Sequence, residues 1–92
     1  MGFEYTLRSS QADLESVLLA LSRLKGALVP DRATKVIHFR ADSSPQTSVP
    51  DAVVEVDAES VYFRDNGGRG REFLGAVVAK LCSFGSVTIE EM

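Results

Sequence analysis

The segment Asn66-Gly67-Gly68-Arg69-Gly70-Arg71 is the first place in this chain where residue types and spacing could do chemistry. It follows an alternating stretch and precedes a helical pattern, the setting in which backbone N–H groups and a helix dipole hold an anion. Arg69 and Arg71 add positive charge where the dipole is already positive, an arrangement unfavourable by about 0.3–1 kcal/mol per cation. A phosphate or carboxylate ligand held by Gly67, Gly68, Arg69, Gly70 and Arg71 would relieve that cost. Against this, the loop lacks the Lys-Ser/Thr ending of a Walker A loop and the spacing of a G-x-G-x-x-G fingerprint. Glu72 offers a local counter-charge, and a plain strand-to-helix turn draws on the same residue types.

A second candidate is a sheet face. Alternation in the strand-like segments places Glu4, Thr6, Arg8, Val36, His38, Arg40, Val53, Glu55, Asp57, Tyr62, Arg64, Thr88 and Glu90 on one side. An RNA platform needs two or three stacking aromatics on such a face. This one supplies Tyr62 and His38, and its carboxylates would repel phosphate. A protein-binding or self-associating face fits the composition better, with Val36, Val53 and Tyr62 at its centre and Arg8, His38, Arg40 and Arg64 around them. A solvated face with cross-strand charge pairs such as Glu55 beside Arg64 is the plain alternative.

Other chemistries lack their parts. His38 is the single histidine and Cys82 the single cysteine, so a histidine-based metal site would have to recruit carboxylates or that thiol. Cys82 follows Val78 by one helical turn, which predicts a small core residue. There is no G-x-S-x-G elbow, no H-E-x-x-H and no C-x-x-C. Asp13 and Glu15 are explained by a helix dipole and Glu90-Glu91 by an exposed end, so no paired-carboxylate site assembles. The expectation is a protein that is not an enzyme and uses no metal or cofactor.

The elements that must position these residues follow from periodicity. Phe3 to Arg8 alternates as a half-buried strand. Ser9 or Ser10 reads as the N-cap of a first helix with Asp13 and Glu15 in its first turn. Leu14, Val17, Leu18, Leu21 and Leu24 form its apolar stripe, and Arg23, Lys25 and Gly26 close it. After a short connection containing Pro30, Lys35 to Arg40 alternates again. The polar stretch from 41 to 51, with Pro45 and Pro50, reads as a mobile loop in which Ser44-Pro45 resembles a kinase site. Ala52 to Asp57 and Ser60 to Arg64 pair as a hairpin, since the two-residue link Ala58-Glu59 keeps Val54 and Val56 in step with Val61 and Phe63. Phe73, Leu74, Val77, Val78 and Leu81 recur at helical spacing up to Gly85, and Val87-Thr88-Ile89 makes a last strand.

The order β-α-β-β-β-α-β predicts an α+β two-layer sandwich, a mostly antiparallel sheet with both helices on one face. The 92 residues, 45% of them hydrophobic and 25% charged, predict one domain with a core of its own. Ten Lys and Arg against thirteen Asp and Glu give a net charge of −3, which argues against non-specific nucleic-acid binding. A lone cysteine, no leader pattern and no long apolar run predict a cytoplasmic protein away from membranes. Gly2 and Thr6 match the loose myristoylation pattern, which the strand reading of the same residues makes incidental. The sequence therefore predicts a non-catalytic cytoplasmic binding or regulatory module acting on a protein partner, or on a second copy, through the open sheet face or a sheet edge. An anion-binding module at Gly67–Arg71 is the alternative.

Overall fold

The computed structural model describes residues 3–9, 13–31, 35–41, 50–57, 60–67 and 70–91, and places in them six strands and two α-helices. In chain order these are β1 (Phe3–Ser9), α1 (Leu14–Ser22), β2 (Ala27–Asp31), β3 (Val36–Phe39), β4 (Ala52–Val56), β5 (Val61–Asp65), α2 (Gly70–Leu81) and β6 (Val87–Glu91). A 3₁₀ turn, Cys82–Phe84, continues α2. The strands form one sheet in the order β2-β3-β4-β5-β1-β6, with every pairing antiparallel. The fold is α+β, with both helices packed on the same side of the sheet.

The alternating residues decide which side that is. Leu7, Ile37, Phe39, Val54, Val56, Val61 and Phe63 point toward the helices and are buried against Val17 and Leu21 of α1 and Val77 and Leu81 of α2. Phe39 stacks obliquely on Phe73 of α2, with ring centroids 5.1 Å apart, within the range that favours tilted aromatic pairs. The β4–β5 hairpin has the expected register, Val56 opposite Val61 and Val54 opposite Phe63. Its backbone closes through Asp57 N–H donating to Ser60 O at 2.9 Å. Residues 58 and 59 of the turn lie outside the described residues.

Four features differ from the sequence reading. The connection around Pro30 is itself a strand, β2, at the edge of the sheet. Proline cannot donate to a ladder, so it is tolerated there and not in a central strand; the β2–β3 register also shifts between Leu28 and Asp31. Second, the N-cap of α1 is Asp13 rather than Ser9 or Ser10. Its carboxylate accepts from Ser16 N–H at 3.2 Å and from Ser16 Oγ at 2.7 Å, while Ser9 belongs to β1. Ser10 lies outside the described residues. Third, α1 ends at Ser22 with Arg23 as its C-cap, so Lys25 falls beyond the helix, and Gly26 takes φ +86° in the turn into β2.

Fourth, Cys82 is exposed rather than buried. The buried stripe of α2 runs through Val77 and Leu81, while Val78, one turn before Cys82, is itself only half-buried, so the position after Leu81 falls about 100° round from the buried side. Of the polar stretch 41–51, residues 42–49 lie outside the described residues. Its two described ends are fastened together: Ala41 N–H donates to Asp51 Oδ2 at 2.8 Å.

Candidate functional site

The face of the sheet away from the helices carries the residues that alternation assigns to it, and the strand register orders them. One row crosses the sheet as Leu28, His38, Val53, Arg64 and Glu4, in β2, β3, β4, β5 and β1. The neighbouring row reads Val36, Glu55, Tyr62, Thr6 and Glu90, in β3, β4, β5, β1 and β6. The face is thereby divided. Around His38 its β2–β4 half carries Leu28, 59% exposed, and the half-buried Val36 and Val53, with the exposed Glu55 of β4 at the border of the other half. Its β5–β1–β6 half is polar and charged.

On the polar half, Tyr62 and Arg64 are joined through Glu4. The Tyr62 hydroxyl donates to Glu4 Oε1, and Arg64 Nη2 donates to the same oxygen at 3.0 Å. The Arg64 guanidinium also lies 5.9 Å from the centre of the Tyr62 ring, within cation–π range. Hydrogen bonds from Tyr62 and then Arg64 hold the Glu4 carboxyl below its ordinary range. Desolvation, followed by the bond to Glu4, pushes the Tyr62 phenol up. Bonds to Tyr62 and then Glu4 raise Arg64 further. Arg8 forms a separate pair with Glu90 at 3.5 Å, both side chains about half exposed; such a pair adds little stability.

Arg40 does not join this group. It sits one residue past β3 and lines a recess on the helix side, beside Phe73 and Ala76 of α2. The structure thus brings Tyr62 and Arg64 into one cluster, sets Arg8 and His38 on different halves of the same face, and places Arg40 just past β3, where its N–H donates to Gly26 O. Two contributors escape the sequence pattern. Alternation puts Glu4 on the face but carries no sign that it links Tyr62 to Arg64. Leu28 falls in what reads as a connection around Pro30, although the register sets it opposite His38 with its side chain 59% exposed.

The Gly-rich segment is organised from within. Asp65, only 8% exposed, ends β5 and turns its carboxylate toward the start of α2, where Oδ1 accepts from Gly67 N–H at 2.8 Å. Gly70 N–H donates to Gly67 O at 3.0 Å, and Gly70 packs so closely on Asp65 and Asp51 O that no β-carbon would fit. Asn66 completes the junction, its N–H on Asp51 O and its side-chain amide on Pro50 O, each at 3.0 Å. The positive end of α2 therefore already faces a carboxylate of this chain, which meets the charge imbalance read from Arg69 and Arg71. Arg71 is exposed in the first turn of α2, and Gly68 and Arg69 lie outside the described residues.

Among the described residues no group of three His, Cys, Asp or Glu is placed to hold a metal ion. No described helix is long and apolar enough to cross a membrane. A scan against protein-family models finds no match, and searches of curated proteins and of solved structures find none either.

Proposed function

We propose that this chain is a non-catalytic binding module that works through protein–protein contact, with the open sheet face as its contact surface. The observation that carries this reading is the arrangement of that face, with Leu28, Val36 and Val53 gathered around His38 beside the Tyr62–Glu4–Arg64 cluster. Protein contact surfaces pair an apolar centre with aromatic and arginine side chains. Tyr62 and Arg64 are held by Glu4 before any partner arrives, so little side-chain freedom is lost on binding. The anion-binding alternative at Gly67–Arg71 has less support, because Asp65 already accepts from the loop's backbone.

The test is a binding comparison across four variants of the full chain. Leu28→Glu and Arg64→Ala alter the two halves of the face, Tyr62→Ala removes the aromatic between them, and Leu19→Ser alters an exposed apolar residue of α1 instead. Association, measured by sedimentation of the pure chain and by capture of a partner, is expected to fall in the first three variants and to persist in the fourth. Association that survives all three face variants would remove the basis for this reading.

A further inference from the structure

On the helix side of the sheet, the turn after α1, the chain leaving β3 and the first turns of α2 enclose a recess of about 430 Å³. Leu24, Gly26, Ala41, Phe73 and Ala76 supply its apolar lining. Two features hold that lining in shape. Gly26 O accepts from Arg40 N–H at 3.1 Å, tying the turn to the end of β3. Gly26, at φ +86°, also lies so near the Phe73 ring that a β-carbon there would come within 2.8 Å of it. Phe73 in turn lies against the fully buried Phe39, with ring centroids 5.1 Å apart. Its ring is thus set in place while remaining only half-buried, and it lines the recess. Three charged residues complete the lining, Lys25, Arg40 and Glu72, and each already has a partner within the chain.

We infer that this recess binds a small uncharged aromatic compound, one ring or two fused rings carrying at most a hydroxyl or an N–H. Its volume falls within the roughly 300–1,000 Å³ of small-molecule sites. A charged ligand would have to displace a partner of Lys25, Arg40 or Glu72, or enter without a counter-charge, and either course is costly. A neutral ring meets neither obstacle. The Phe73 ring favours an aromatic body over a saturated one of the same size, because tilted and offset ring pairs gain more than the area they bury. Ala76 stands three positions after Phe73 on the same helix face, and its methyl leaves the space beside the ring open.

The experiment is an amide NMR titration of the isotope-labelled full chain with indole and benzyl alcohol, against benzoate, benzylamine and cyclohexylmethanol at matched ionic strength. Saturable shifts are expected for Gly26, Ala41, Phe73 and Ala76 with indole and benzyl alcohol. The two charged compounds are expected to bind at least about tenfold more weakly than benzyl alcohol, and its saturated counterpart roughly two- to tenfold more weakly. Ala76 is exposed on α2, so Ala76→Trp is expected to keep the folded spectrum while filling the recess and abolishing the shifts. Phe73→Leu is expected to erase the preference for benzyl alcohol over cyclohexylmethanol. The inference is overturned if neither indole nor benzyl alcohol gives a saturable shift, or if benzoate, benzylamine or cyclohexylmethanol binds as tightly. It is equally overturned if Ala76→Trp binds indole unchanged or Phe73→Leu keeps the aromatic preference. None of the reporting amides lies on the open face, so the two proposals stand or fall separately.

Discussion

Gly70, the first residue of α2, rests directly against the carboxylate of Asp65, the last residue of β5, with no room for a β-carbon between them. The strand therefore hands its terminal carboxylate to the helix that follows. It does so through a glycine, the one residue without the β-carbon that this approach excludes.

Two glycines of the same helix are expected to respond oppositely to alanine. At Gly75, where nothing lies within 4 Å of an added β-carbon, alanine should stabilise by about 0.5–1 kcal/mol. At Gly70 the added methyl meets Asp65 and Asp51 O, and overpacking of this kind costs about 1–3 kcal/mol. Urea denaturation of the two variants checks both signs; equal behaviour would mean that the Asp65–Gly70 contact is not rigid.

The Tyr62–Glu4 bond gives a second test. The structure raises the Tyr62 phenol above its ordinary 10.0. The stability linked to it is complete below that value and declines as pH rises toward the folded one. Glu4 behaves inversely: its carboxyl is held below 4.5, so its contribution is present above that value and is lost as pH falls through the depressed one. In a Tyr5→Phe background, where Tyr62 is the remaining tyrosine, ultraviolet titration of tyrosinate should give a raised midpoint. Glu4→Gln should move it down. A midpoint indifferent to Glu4→Gln would place the two groups apart in solution.

Leu28 and Phe63 separate surface from core. Phe63 is fully buried and stacks on Tyr5 with centroids 6.4 Å apart, so Phe63→Ala should cost about 3–5 kcal/mol. Leu28→Glu, on the open face, should change stability by no more than about 0.5 kcal/mol. Thermal melts of both variants distinguish the cases, and a large loss for Leu28→Glu would show that β2 is packed by something other than its own sheet.

Cys82 should react with a thiol-specific reagent in the native protein, without denaturant, because its side chain is exposed just past the end of α2. A thiol protected until global unfolding would return it to the core.

What is legible in the sequence traces to residues whose surroundings obey one simple period. Val54, Val56, Val61 and Phe63 alternate without interruption, and their shared face follows from that period alone. Phe73, Val77 and Leu81 mark α2 in the same way. Pro30 conceals β2, because a proline speaks against a strand unless that strand is known to lie on an edge, and edges are set by partners far along the chain. Asp13 reads as a first-turn residue instead of the cap because Ser9 and Ser10 are equally good caps in isolation. What removes Ser9 from contention is the length of β1, which its pairing with β6 sets. Asp65 looks like the end of a strand, and its role depends on how closely α2 approaches. Arg40 alternates with His38, yet β3 stops one residue earlier, at Phe39.

The strand order also constrains how the chain can assemble. β2 through β5 are neighbours in sequence and in space, so each can pair with the strand before it as it forms. β1 has its partners in β5 and β6, with Phe3 opposite Asp65 and Tyr5 opposite Glu91. During synthesis β1 is thus without a pairing partner until α1 and three further strands have followed it, and its second partner comes only after α2. Such distant closures are slow. Leu7, buried at the centre of the finished core, is accordingly among the first of the core side chains to meet water and among the last to be covered.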